Sequence, residues 1–171
     1  MGDKLKFAFY WAAACGGCDV AVLDLETKIL DVAAAADIYF WPIALDFKYQ
    51  DVEAMEDGFL DVCFFNGAIR NSEQMHLAQL FRRKSKTLVA FGSCACFGGI
   101  PGLANFFTAP EILERVYRET PSTINAENVR PQERYAAPEG ELTLPAFYNT
   151  VYTLPDVVPV DYYAPGCPPP V

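Results

Sequence analysis

The chain has 171 residues, 52% of them apolar, with 22 acidic against 13 basic side chains and a net charge of −9. That length lets a folded chain bury roughly 70% of the surface it exposes when unfolded, so no staple is needed and one domain over 1–171 is expected. The acidic balance argues against nucleic acid or an anionic membrane as a partner, because both need clustered Lys and Arg.

Residues 5–13 (LKFAFYWAA) read as a buried first strand rather than an export signal. After Gly16 and Gly17, Asp19 is placed to cap a helix running VAVLDLETKILDVAA, with Val22, Leu25, Ile29, Leu30 and Val32 at helical spacing. Residues 37–45 predict a second strand, in which Pro42 marks an edge or a bulge, and residues 59–66 a third. A helix over SEQMHLAQLFRRKSK follows, with Ser72 as its cap, and 86–91 is the fourth strand. A helix spans about 110–119, with Pro110 near its start. Residues 121–156 read as extended loop or short irregular strands, since eleven of the thirteen prolines lie from Pro110 onward. Residues 157–163 resume a strand that ends in APGCPPPV. Strands alternating with helices predict a parallel, doubly wound α/β sheet.

From Leu88 to Pro110 the sequence carries no charge, a length that passes a crude test for a membrane span. It also holds Gly92, Gly98, Gly99, Pro101 and Gly102, which would break a helix where lipid cannot satisfy the freed backbone groups. A buried strand leading into a glycine-lined loop is therefore expected, and no membrane span.

Six cysteines without an export signal imply a reducing compartment, where thiols serve metals or catalysis more often than disulfides. Cys15 and Cys18 follow the first strand, Cys94 and Cys96 the fourth, and Cys167 the last. In a parallel sheet all carboxyl ends lie along one edge, so these five are expected to converge there. Glycines at 16, 17, 92, 98, 99 and 166 allow close approach of backbone N–H groups to a bulky inorganic group. Four thiolates suit tetrahedral zinc or an iron–sulfur cluster, and one pair plus two distant singles favours the cluster over paired zinc knuckles. A thioredoxin-like redox pair at 15–18 would leave Cys94 and Cys167 without a role. A flavin-binding module would need a Ser/Thr-rich phosphate loop where CGGC stands. Cys63, inside a strand, is expected as a small buried hydrophobe. His76 is expected in a surface or packing role, RRKSK at 82–86 as a solvated helix end, and Asn66–Arg70 as a loop at the site edge.

Three motifs, CGGC at 15–18, GSCACFGG at 92–99 and PGCPP at 165–169, resemble in order and separation the cysteine signature of the [NiFe] hydrogenase small subunit. The string CGGCDVAVLDLE is similar to the cytoplasmic, methyl-viologen-reducing type that feeds heterodisulfide reductase. The resemblance implies a flavodoxin-like domain holding the proximal [4Fe-4S] cluster on Cys15, Cys18, Cys94 and Cys167, with Cys96 outside the ligand set. Two further cysteines found in oxygen-tolerant members correspond to Gly17 and Gly99 here, which implies an ordinary four-cysteine cubane. It also implies a large-subunit partner with the NiFe centre, and further iron–sulfur or flavin electron-transfer subunits with heterodisulfide reductase among them. Any additional cluster-binding region is expected outside this chain, since no cysteines remain for a second cluster. The related subunit of respiratory complex I carries adjacent cysteines in its first motif, unlike the two-residue gap between Cys15 and Cys18.

Overall fold

The computed structural model describes residues 4–170; Met1–Asp3 and Val171, and the readings that touch them, lie outside the described residues. Strand β1 (Leu5–Trp11) leads to helix α1 (Gly17–Leu23), a short 3₁₀ turn, α2 (Ile29–Ala35) and β2 (Ala36–Phe40). Then come α3 (Tyr49–Ala54), β3 (Leu60–Asn66), the short β4 (Ile69–Asn71), α4 (Ser72–Lys84) and β5 (Ser85–Phe91). Beyond β5 lie α5 (Ser93–Phe97), α6 (Gly99–Gly102), α7 (Ala109–Glu114), β6 (Arg134–Ala137), β7 (Gly140–Thr143), β8 (Phe147–Tyr152) and β9 (Tyr162–Ala164). Five strands pair in parallel in the order β2-β1-β3-β5-β9, the flavodoxin-like 2-1-3-4-5 arrangement. The expected doubly wound parallel sheet is therefore what forms.

The central strands are apolar on both faces; α4 closes one of them, while on the other Phe7, Phe64 and Phe91 are part-buried and line a cavity with Ala21, Val22 and Leu25. On one face Ala8 and Tyr10 of β1, Cys63 and Phe65 of β3, and Leu88 and Ala90 of β5 meet Leu77, Ala78, Leu80 and Phe81 of α4. The Phe81 ring lies 5.3 Å from both Tyr10 and Phe40. Cys63 is fully buried in this layer, the hydrophobe its position predicts. On the other face Phe9 stacks on Phe64 at 4.9 Å and packs against Trp41 at 4.7 Å, with Phe7 and Phe91 at the margins.

Several boundaries differ from the sequence reading. Asp19 does not cap: Gly16, at φ 83°, is the N-cap, and Asp19 is buried in the first turn of α1. The expected long helix breaks at Glu26, which has φ 52°, and Leu30 faces solvent. Strand β2 stops before Pro42; it is an edge strand, and its pairing with β1 shifts register between Phe7 and Ala8. Asn71, not Ser72, caps α4 by accepting the Gln74 N–H, while the Ser72 hydroxyl accepts the Ala146 N–H. Residues 121–156 contain two real pairings: β6 with β7, and β8 antiparallel to β4. The last strand begins at Tyr162, since Val157 and Val158 form a turn on Leu154.

Nor is the RRKSK stretch a merely solvated helix end. Arg82 donates to Asp161 Oδ2 at 2.5 Å and to the carbonyls of Ser85 and Lys86, while the Leu88 N–H also reaches Asp161. This network joins α4, β5 and the run-in to β9. Lys84 is buried and donates to the Met55 carbonyl and to Asp57.

Replacing Phe81 by Ala removes a ring from a filled layer and is expected to lower unfolding free energy by about 3–5 kcal/mol, read by denaturant titration. Arg82 beside Asp161 holds that carboxyl below the usual carboxylate range. A depressed carboxylate stabilises above its unfolded pKa, and the stabilisation is lost as pH falls through its folded value. Acid titration of stability should therefore show a decline that Asp161→Asn shares less; the group is part exposed, so the difference is at most about 1 kcal/mol.

Candidate metal centre

Parallel pairing brings three loops to the carboxyl edge of the sheet. Past β1, Ala12 and Ala13 donate to the carbonyls of Asn66 and Ala68, which fixes the approach to Cys15. Cys15 is exposed, and Cys18 sits buried in the first turn of α1. Past β5, Cys94 is buried at the start of α5. Past β9, Cys167 is exposed in a loop sewn to the β5 loop: Gly92 N–H donates to the Ala164 carbonyl at 2.8 Å and Ser93 N–H to the Gly166 carbonyl at 2.7 Å. On the far side, Leu154 N–H donates to the Ala95 carbonyl, so the proline-rich segment also holds α5 in place.

These contacts put Cys15, Cys18, Cys94 and Cys167 in one neighbourhood. Burial pushes the Cys18 thiol up to about 12, and negative charge on Cys94, Asp19, Cys15 and Cys167 opposes its ionisation further. Burial likewise raises Cys94, partly offset by the Ile100 N–H that its sulfur accepts. Gly17 N–H donates to the Cys15 sulfur at 3.4 Å. N–H groups aimed at sulfur are the contacts that support thiolate ligands. Two glycines leave the room the thiols occupy. A Cβ on Gly92 would lie 2.2 Å from the Cys18 sulfur, and one on Gly99 would lie 2.9 Å from the Cys94 sulfur. Both positions also have positive φ.

Among the described residues, no three His, Cys, Asp or Glu side chains close around a single ion. Cys96 turns the other way: its thiol donates to the Ala90 carbonyl at 3.3 Å and joins the core. His76 is exposed, 3.6 Å from Glu53 and on α4.

The sequence reading missed one buried polar network. Asp19, 1% exposed, accepts from Trp41 Nε1 at 2.9 Å and from Asn66 Nδ2 at 2.6 Å. Burial raises its carboxyl pKa, against the pull of these two donors. The signal in the sequence was an acid directly after CGGC, which also fits a cap. Arg70, in the loop expected at the site edge, is buried with its guanidinium 4.3 Å over the Phe147 ring. Around the β5 loop, Phe97, Ile100, Leu103, Phe106 and Phe107 form an exposed, uncharged apolar surface. Among the described residues, no helix is long and apolar enough to cross a membrane.

The strand order and the thiol-lined edge define a flavodoxin-like α/β protein with a candidate metal site at the carboxyl edge of its sheet. The chain belongs to the family described as NADH ubiquinone oxidoreductase, 20 Kd subunit, whose model matches residues 15–171. It is 46% identical over 166 residues to the iron-sulfur subunit of the F420-non-reducing hydrogenase of Archaeoglobus profundus, covering 96% of this chain and 52% of that protein. It is 36% identical over 169 residues to a subunit of the F420-non-reducing hydrogenase of Methanothermobacter thermautotrophicus, covering 99% of this chain and 50% of that one. The chain thus spans about half the length of these relatives. A solved chain of an NAD+-reducing [NiFe]-hydrogenase in the H2-reduced state superposes with a TM-score of 0.82 at 28% identity, covering 98% of this chain and 85% of that one. The [NiFe] small-subunit resemblance and the flavodoxin-like fold read from the motifs both hold.

Gly92→Ala should force Cys18 from its seat. In the folded, metal-free chain, Cys18 is then expected to become alkylated by iodoacetamide where wild type is protected, as read by peptide mass spectrometry.

Proposed function

We propose that this chain is the electron-transferring small subunit of a [NiFe] hydrogenase, working in the cytoplasm with a large subunit that supplies the NiFe centre. The observation that carries the reading is the convergence of Cys15, Cys18, Cys94 and Cys167 from three distant loops onto one edge. The donor set fits a [4Fe-4S] cluster: four thiols, N–H groups aimed at two of the sulfurs, and two glycines whose missing Cβ atoms leave the sulfurs room. When bound, such a cluster accepts and releases single electrons.

The protein's own residues do the rest. The CGGC turn, α5 and the Gly166–Cys167 loop present thiolates from different directions. The glycine backbone stays close to the sulfurs, and Cys18 and Cys94 are themselves buried from water. The apolar surface from Phe97 to Phe107 lies beside Cys94, where a large subunit would dock and seal the site; its lack of charge suits a permanent interface. Electrons from hydrogen oxidation on the large subunit would enter here and leave toward heterodisulfide reductase or another cytoplasmic acceptor, through further iron–sulfur or flavin subunits. The archaeal relatives are named as subunits of F420-non-reducing hydrogenases, which supports an acceptor other than F420.

The family model carries the name of a complex I subunit, which keeps a complex I-type cluster role as the second reading. The two residues between Cys15 and Cys18 and the hydrogenase names of the relatives favour the first.

Anaerobic purification with natural partners is expected to yield nickel in the complex and about four irons per chain here, with a broad visible absorbance that bleaches on reduction. Tightly held zinc without iron would make the cysteines a structural zinc site and overturn the reading. Cys94→Ser should lose most of the iron and Cys96→Ser should keep it; the reverse result would reassign the ligand.

A further inference from the structure

We propose that Asp19 is a positioning residue for the cysteine site: a buried carboxylate, held by Trp41 and Asn66, that clamps the CGGC turn to the sheet and places a fixed negative charge beside Cys18. The inference rests on the cluster reading above.

The geometry is specific. Asp19 follows Cys18 directly in α1, so whatever fixes Asp19 fixes the Cys18 backbone. Its two oxygens are held separately: Oδ1 by the Trp41 indole N–H and Oδ2 by the Asn66 amide. Trp41 follows β2 directly, and Asn66 is the last residue of β3. One carboxylate thus ties the turn after β1 to the ends of both strands that flank β1. Its partners are themselves held. The Trp41 ring packs on Phe9, and Asn66 pairs with Trp11 and Phe91 in the sheet.

The charge is what a clamp alone does not need. A buried carboxylate carries a desolvation penalty that an amide of the same shape would avoid. Among the described residues no Lys or Arg forms an ion pair with Asp19, so its charge is balanced by neutral groups alone: the Trp41 and Asn66 donors and the backbone N–H groups of the first turn of α1. A negative charge in a low-dielectric setting opposes the arrival of further negative charge nearby. An electron taken up by a group ligated through Cys18 meets that opposition, so Asp19 makes the site more reducing. Net charge and hydrogen bonding around the sulfurs are recognised controls on such potentials.

Asn66 supplies an unusually clean test. Its Oδ1 is buried without a hydrogen-bond partner. In Asp19→Asn, the new side chain's oxygen can keep the Trp41 N–H, and its amide can donate to Asn66 Oδ1 once the Asn66 amide turns over. The network survives while the charge is removed. Redox titration of the anaerobically purified full chain, followed by electron paramagnetic resonance, should show a midpoint raised in Asp19→Asn with iron content unchanged. Trp41→Phe keeps the carboxylate and removes one donor, so its midpoint should stay at or below wild type. An unshifted Asp19→Asn midpoint, or an equal rise in both variants, would overturn the charge role. The clamp is read without a cluster. Thermal unfolding of the metal-free chain should fall clearly in Asp19→Ala and less in Asp19→Asn; equal values for wild type and Asp19→Ala would overturn the clamp. Wild-type protein that binds no iron would instead overturn the cluster reading and the charge role together, leaving the unfolding comparison to decide the clamp alone.

Discussion

Parallel strand pairing is the constraint on which the rest of the structure depends. Hydrogen bonding β2, β1, β3, β5 and β9 in one direction sends every strand's carboxyl end to the same edge. The residues that follow those strands then have one place to go. Cysteines separated by as much as 152 positions, from Cys15 to Cys167, become neighbours without any direct interaction having to bring them together. The local contacts only refine this. The β5 and β9 loops are sewn by two backbone hydrogen bonds, and the turn after β1 is held by Ala12, Ala13 and Asp19.

The sheet that carries this edge is closed more fully on one face than on the other. One face is closed by α4 through Leu77, Leu80 and Phe81, a packing of large side chains against the strand residues of alternate parity. The other is an aromatic layer centred on Phe9, Phe64 and Trp41. Trp41 serves both ends of this arrangement: its ring is packing, and its N–H reaches Asp19 beside the site. Stability and site geometry are thus coupled through one side chain. The Arg82–Asp161 network does the same for the last strand, since β9 is short and delivers Cys167.

The proline-rich segment has a part in this as well. It pairs β8 with β4 and supplies the Leu154 bond to α5, so it braces the Cys94 loop from outside the sheet. It also leaves Phe147 over the buried Arg70 guanidinium. An irregular composition is compatible with a defined position when its backbone groups are taken up by neighbours one at a time, as Ser72 takes up Ala146.

The parallel α/β class, the buried strands and the convergence of four of the five expected cysteines were legible in the sequence, because alternation of strand and helix patterns implies parallel pairing and parallel pairing implies a shared edge; the fifth, Cys96, turns into the core instead. The motif resemblance pointed to the family for the same reason that motifs work at all: glycines and cysteines at fixed offsets answer to a fixed local geometry. Helix caps and breaks were not legible. Asp19 and Ser72 fit the cap pattern, yet each found a partner distant in sequence, at Trp41, Asn66 and Ala146. The roles of Arg82 and Lys84 were hidden similarly, since a charge run at a helix end gives no sign of which carbonyls and carboxylates will face it. Local pattern therefore determined which residues reach the edge. Only the tertiary structure decided which polar groups are buried beside it, because burial and hydrogen-bond partnership are properties of elements packed together rather than of any one of them.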